Sequence, residues 1–350
     1  MKKMLSSYES LYGTQPREYT SPLEKGDHPE LDTTPELNAE GIKQYQSLIG
    51  ALQWSISLCQ FDISVAVMTL GRFRTAPREG HLDRVKRIVG YLKKHPDAAI
   101  RFRTGRPAHA EVEIPNYSWL QTVYGDVKEE LPDDLPQALG RVVRLTSYVD
   151  ANLYHDMITG RSVTGIIHMI NQTPIDWFSK RQATVETATY GSEFVATRIA
   201  VEQIMDLRYT LMYLGVKIDG PAYLFGDNQS VITSSTLPHS TLSKRHNALA
   251  YHRVREAVAA GVIYFIKIDG VQNPADALTK FLPYVTWWPL IQPMLYWKGD
   301  TFIPQEAKEI QPNVPEGSVE DLAHIDQIAR EIELKPMEIC NKMCNPNFEG

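Results

Sequence analysis

The stretch VVRLTSYVDANLYHDMITGRSVTGIIHMINQTPIDWF, residues 142–178, decides the fold. It holds three runs rich in branched and aromatic side chains, 142–149, 163–170 and 175–178, separated by short polar segments containing Gly160 and Asn171. That spacing predicts a three-stranded antiparallel meander. Downstream the period becomes helical: Phe194, Val201, Ile204 and Leu211 mark an apolar face over 189–214, which Gly215 stops. A strand at 222–225 follows, then a short helix from Asn228, a helix over 244–260, a strand at 262–268 and a final helix opening at Pro274. The order βββαβαβα predicts an α/β fold, a mixed sheet with helices packed on its faces.

Four acids occupy matching places in this scheme. Asp150 ends the first strand, Glu193 lies in the first turn of the long helix, Asp227 ends the fourth strand and Asp276 starts the last helix. If the first and fourth strands are neighbours, all four share one cleft. Such a cluster repels itself in a partly desolvated site and needs cations between its members. Oxygen ligands without His or Cys select Mg²⁺ or Mn²⁺. Two such ions roughly 4 Å apart support in-line phosphoryl displacement, one activating water and one stabilising the leaving oxygen. Taken singly, each acid also reads as a cap or dipole partner, so the argument rests on the four together.

The motifs Tyr148-Val149-Asp150-Ala151, Ser162-Val163-Thr164-Gly165, Asp176-Trp177-Phe178-Ser179-Lys180-Arg181-Gln182, Gly191-Ser192-Glu193-Phe194, Asp227-Asn228-Gln229-Ser230, Tyr251-His252-Arg253-Val254-Arg255-Glu256 and Ala275-Asp276-Ala277-Leu278-Thr279-Lys280 follow one another in this order. Together they resemble the ribonuclease H domain that ends copia-type retrotransposon polyproteins. Upstream, Tyr45-Gln46-Ser47-Leu48-Ile49-Gly50-Ala51-Leu52, Phe61-Asp62-Ile63, Leu70-Gly71-Arg72-Phe73 and Arg87-Ile88-Val89-Gly90-Tyr91-Leu92-Lys93 resemble the thumb or connection segment after the reverse transcriptase palm of the same polyproteins. The resemblance implies a ribonuclease H-like sheet. By position it makes Asp150, Glu193, Asp227 and Asp276 ligands of two Mg²⁺ or Mn²⁺ ions. It aims Gln229, with Asn228 beside it, at the minor groove of an RNA–DNA hybrid, where 2′-hydroxyls line one strand. Lys180 and Arg181 would touch phosphate. No Tyr-X-Asp-Asp turn or polymerase palm is present. His246 reads either as structural or as an aid to proton transfer or product release.

The remaining sequence sets the organisation. Residues 1–38, rich in Pro, Ser, Glu and Thr, predict an extended lead-in without a core. Residues 39–106 predict three short helices, the third apolar at Val85, Ile88, Val89 and Leu92 and basic elsewhere. Residues 107–141 read as a Pro-rich acidic linker or insertion, 142–285 as the ribonuclease H-like domain, and 286–350 as a Pro- and Trp-rich, then acidic tail, partly disordered. Over 72–106, eleven Lys or Arg face three acids; Arg84, Arg87, Lys93 and Lys94 would form a face that tracks a phosphate backbone. The net charge of −6 comes entirely from 301–350.

Neither long uncharged stretch, 44–61 or 281–297, is apolar enough to cross a bilayer, and the first eight residues lack a signal-peptide core. Cys59, Cys340 and Cys344 cannot build a disulfide framework. The expectation is an intracellular protein, in a cytoplasmic element particle or the nucleus, with no membrane partner. Three function classes follow: a Mg²⁺-dependent endonuclease cutting the RNA strand of hybrids, without its own polymerase palm; a silent retroelement remnant or nucleic-acid-binding protein; and a transposase- or integrase-like nuclease preferring DNA ends. An RNA–DNA hybrid is the expected partner, and a palm-bearing reverse transcriptase chain is a candidate second one.

Overall fold

The computed structural model of the chain describes residues 2–96, 98–105, 114–115, 117–242 and 244–296. Of the tail expected over 286–350, residues 286–296 instead pack into the core through Trp287, Ile291, Met294 and Leu295, and the rest lies outside the described residues. Where composition predicts an extended lead-in, α1 (Lys2–Tyr12) is a helix, and Tyr8 and Leu23 are buried in the core. Tyr8 is its buried anchor, with Met4, Leu5 and Tyr12 half-buried against the same core. The three following helices form where the pattern puts them: α2 (Ala39–Ser57), α3 (Ser64–Leu70) and α4 (Glu79–Lys94). Asn38 caps α2, its side chain accepting from the Gly41 amide at 2.9 Å. Val85, Ile88, Val89 and Leu92 are all buried.

The two-residue strand β1 (Ala99–Ile100) precedes a long segment without regular structure in its described parts. The first expected strand of the meander is two strands: β2 (Leu139–Val143), largely exposed, and β3 (Leu145–Asn152), buried over seven residues. They are followed by β4 (Val163–Ile170), β5 (Thr173–Arg181), α5 (Thr189–Tyr213), β6 (Val216–Ile218), β7 (Ala222–Gly226), α6 (Gln229–Thr236), α7 (Ala248–Ala259) and β8 (Ile263–Lys267). The helix expected at Pro274 is a short 3-10 turn, Pro274–Leu278, which ends at Thr279. Helix α8 (Tyr284–Ile291) and β9 (Leu295–Tyr296), which pairs with β1, complete the described chain.

The main sheet has the order β5-β4-β3-β7-β8. β5, β4 and β3 are antiparallel, whereas β3–β7 and β7–β8 are parallel. The first and fourth strands of the predicted order are therefore neighbours, with Tyr148 opposite Phe225. This antiparallel meander extended by two parallel strands is a ribonuclease H-like arrangement. Alternation along each strand serves two cores. Val149, Ile166, Leu224 and Phe265 pack against α5, α6 and α7. Tyr148, Ile167, Phe225 and Ile266 face the other way and share a core with Leu52, Phe61, Val67 and Tyr91 of the helical segment and Trp287 of α8. The ring pairs Phe61–Trp177 and Tyr91–Trp287, 5.3 and 5.5 Å between centroids, tie the two halves.

Candidate active site

Asp150 occupies the sixth position of β3, where Gly165 of β4 lies opposite it. Asp227 follows the last residue of β7, and Glu193 lies in the second turn of α5. Parallel pairing of β3 with β7 brings the first two together, and α5 packs across β3. One oxygen from each of Asp150, Glu193 and Asp227 lies within 4.8 Å of the others. The four expected acids gather where the central strands β3 and β7 end, since Asp276 interacts directly with Asp150.

Asp276 is carried there by its turn. The buried Asn273 side chain donates to the Val149 carbonyl at 2.9 Å and accepts from the Ala275 amide at 3.1 Å, fastening the turn to β3. The buried Thr279 hydroxyl donates to Asp150, while Lys280 Nζ stands 2.8 Å from Asp276 Oδ1 and 3.2 Å from Asp150 Oδ2. Gly165 makes this approach possible: a Cβ there would lie 2.6 Å from Thr279 Cγ2 and 2.7 Å from the Ala275 carbonyl oxygen. On the other side, Lys267 Nζ donates to the Asp227 carbonyl.

Electrostatics mark the cluster as short of positive charge. Burial, then repulsion from Asp150 and Asp227, raises the Glu193 carboxyl well above its ordinary value. Asp227 is raised by burial and by Asp150. Burial and Asp150 push Asp276 up to about 7 against the pull of Lys280. Lys280 is itself raised, because Asp150 and Asp276 outweigh the burial that disfavours its charge. An all-oxygen set whose protons are held by mutual repulsion fits a hard divalent cation such as Mg²⁺ or Mn²⁺.

The expected nucleic-acid contacts divide. Gln229 is exposed on the first turn of α6, with Nε2 donating to Thr233 Oγ1 at 3.1 Å, and Lys180 is exposed on β5. Lys94 is exposed as well. The Asn228 side-chain oxygen is occupied in capping α6, accepting from the amides of Ser230 and Val231. Arg181 bonds at 2.7 Å to Asp156, whose side chain is fully buried and which also takes Arg72 at 2.5 Å. The basic face of α4 is largely neutralised, contrary to expectation. Arg84 pairs with Asp27 at 2.8 Å and Asp32 at 2.5 Å, Arg87 with Glu24 at 2.8 Å, and Lys93 bonds to the Pro16 carbonyl at 3.2 Å with Glu18 at 3.9 Å. The segment read as a coreless lead-in supplies these partners. His246 Nε2 lies 3.3 Å from the buried Glu186, beside the start of α5.

Sequence reading assigned no role to Lys280, Thr279, Asn273 or Asp156. Lys280 alone left a signal, four residues after Asp276, a spacing at which a cation reaches an acid within a helical turn.

No family profile matches the chain. The retrovirus-related Pol polyprotein from transposon RE1 of Arabidopsis thaliana is 25% identical over 239 residues, 68% of this chain and 14% of that protein. The corresponding polyprotein from transposon TNT 1-94 of Nicotiana tabacum is 26% identical over 239 residues, 68% of this chain and 15% of its own length. A putative transposon Ty5-1 protein of Saccharomyces cerevisiae is 31% identical over 113 residues, 32% of each chain. The chain thus spans about a seventh of the plant polyproteins it matches. Among solved structures, ribonuclease H1 from Halobacterium salinarum aligns at TM-score 0.30 and 16% identity, over 39% of this chain and 94% of its own. LC11-RNase H1 in complex with RNA/DNA hybrid aligns at TM-score 0.31 and 14% identity, over the same shares. The similarity to the polyproteins and the strand order of the sheet agree: this chain is similar to one portion of the retrovirus-related Pol polyproteins of transposons and carries a ribonuclease H-like fold.

Proposed function

We propose that the chain is a divalent-metal-dependent endonuclease that hydrolyses the RNA strand of RNA–DNA hybrids. The observation that carries this reading is the convergence of Asp150, Glu193 and Asp227 oxygens within 4.8 Å, from two strand ends and a helix. Those three would hold a Mg²⁺ or Mn²⁺ ion, and Asp150 with Asp276 a second one. When bound, such ions activate the attacking water and neutralise charge on the leaving oxygen. The protein's own part is positional. Thr279 and Asn273 fix Asp150 and the Asp276 turn, so the ligands need little reorganisation. Lys180 and Gln229, both exposed, are the proposed contacts to the hybrid, with Lys94 reinforcing them.

A 5′-labelled hybrid incubated with protein and Mg²⁺ tests the reading beside an Asp227→Asn variant and an EDTA control. Cleavage of the RNA strand by the parent alone, with the loss in Asp227→Asn exceeding about a hundredfold, is expected. An intact hybrid with the parent, or cleavage undiminished in Asp227→Asn, refutes it. A second reading, a catalytically silent retroelement protein, draws on the neutralised face of α4, which removes Arg84 and Arg87 from any phosphate track. The same assay separates the two.

A further inference from the structure

Four carboxylates meet where β3 and β7 end, yet they do not form one equivalent set. Asp150, Glu193 and Asp227 converge on one point. Asp276 reaches only Asp150, and between those two stands the Lys280 ammonium, at 2.8 and 3.2 Å. Asp150 is thus shared by two cation positions, one lined by carboxylates alone and one already holding a tethered positive charge. The Lys280 side chain is one-third exposed, so it is not locked into the core.

We propose that Lys280 is a built-in counter-cation that occupies the second cation position. It holds Asp150 and Asp276 together when metal is absent, and it must swing aside before a second divalent ion enters. The inference rests on reading the carboxylates as a metal site, and deepens it: of the two ion positions, one is open and one is gated by a side chain. Two positive charges cannot share the few ångströms between Asp150 and Asp276, so each excludes the other. Free protein accordingly takes up one ion tightly, and the second only against the ammonium. A Lys280→Arg variant keeps a fixed charge on a stem of similar length and preserves the exclusion, whereas Lys280→Met keeps the stem and loses the charge.

The test is a Mn²⁺ titration of the full chain without nucleic acid, read by electron paramagnetic resonance, with thermal melts in EDTA alongside. The parent and Lys280→Arg are expected to bind one tight ion. Lys280→Met is expected to bind two, or to bind the second at least about tenfold more tightly. In EDTA, Lys280→Met melts below the parent, and Mn²⁺ restores it. Should Lys280→Met not fold, Lys280→Gln carries the same titration. Equal stoichiometry and affinity in parent and neutral variant, none in either included, overturns the proposal. Hybrid cleavage by the parent is scored separately: one-ion binding that rises to two in Lys280→Met, with hybrids left intact, refutes the nuclease reading and leaves this inference standing.

Discussion

Neutralising Asp156 should loosen the joint between the helical segment and the sheet. Its carboxylate is fully buried and accepts from Arg72, which follows α3, from Arg181 at the end of β5, and from Thr159 within its own loop. Asp156→Asn keeps the shape, but both guanidiniums and the Thr159 hydroxyl donate to Oδ2 while the Ile158 and Thr159 amides donate to Oδ1, so the NH₂ group meets donors whichever way it turns and the negative charge is lost. Two charge-assisted hydrogen bonds are worth about 1.5–3 kcal/mol each, and breaking a buried pair costs about 3–5 kcal/mol. Both arginines keep some solvent contact, 20% and 27% of their side-chain surface, which favours the lower end. We expect a loss of about 2–4 kcal/mol, read as a fall of about 1 M in the urea midpoint at unchanged slope. Adding Arg72→Met should recover part of it, because it relieves the repulsion the first change creates; the two effects should deviate from additivity by about 1 kcal/mol or more. The pH dependence has a defined sign. Burial alone would raise the Asp156 carboxyl, but Thr159, Arg181 and Arg72 bring it down to about 2. Its contribution is therefore present above the ordinary carboxylate value near 4 and lost as pH falls toward 2, so parent and variant should converge in acid. A loss below about 0.5 kcal/mol at neutral pH would show that the two arginines are satisfied by water, and would refute the reasoning.

Three further perturbations test other parts of the structure. Gly165→Ala puts a methyl 2.7 Å from the Ala275 carbonyl oxygen, which should cost about 1–3 kcal/mol and displace Asp276; a fall in hybrid cleavage of about a hundredfold at preserved secondary structure is the expected readout. Gly90→Ala, whose Cβ would sit 1.8 Å from the Arg17 carbonyl oxygen, should detach the N-terminal segment while α4 persists, and trypsin should then cut at Arg17 and Lys25 faster than in the parent. In EDTA, stability should decline from about pH 4 to about pH 7, since Asp276 holds its proton up to about 7 when folded and releases it near 4 when unfolded; millimolar Mg²⁺, which binds the deprotonated form, should flatten the decline in thermal melts.

What the sequence disclosed and what it withheld separate along a physical line. The meander and the long helix were legible because each leaves a pattern, β-rich runs split by short polar turns for β3, β4 and β5 and the Phe194–Leu211 face for α5, whereas the adjacency of the first and fourth strands entered only as a condition, which the sheet meets. The acids were legible on the condition that the first and fourth strands pair: Asp150 and Asp227 each lie two residues beyond the partners Tyr148 and Phe225. Partner choice has no period. Arg84 and Arg87 look from the sequence like free cations on a helix surface, and nothing local reveals that Asp27, Asp32 and Glu24, more than fifty residues away, lie against them. The register of that contact is set instead by Gly90, where the missing side chain lets the Arg17 backbone touch α4.

The same distinction explains why the helical segment was read as separate from the sheet, although one core runs through both. β3 and β4 are each buried over seven of eight residues, so both faces of the sheet are covered, although the polar residues within LTSYVDAN and VTGIIHMI keep the sequence from announcing it. Helices α5, α6 and α7 cover one face. The other needed a cover, and the apolar sides of α2, α3 and α4, which also needed burial, supply it. That pairing places Arg72 beside Asp156 and gives the two halves one joint. This sheet without its helical cover would expose Tyr148, Ile167 and Phe225 to water. The helices are therefore part of what keeps the Asp150 strand folded, whatever they do for a nucleic acid.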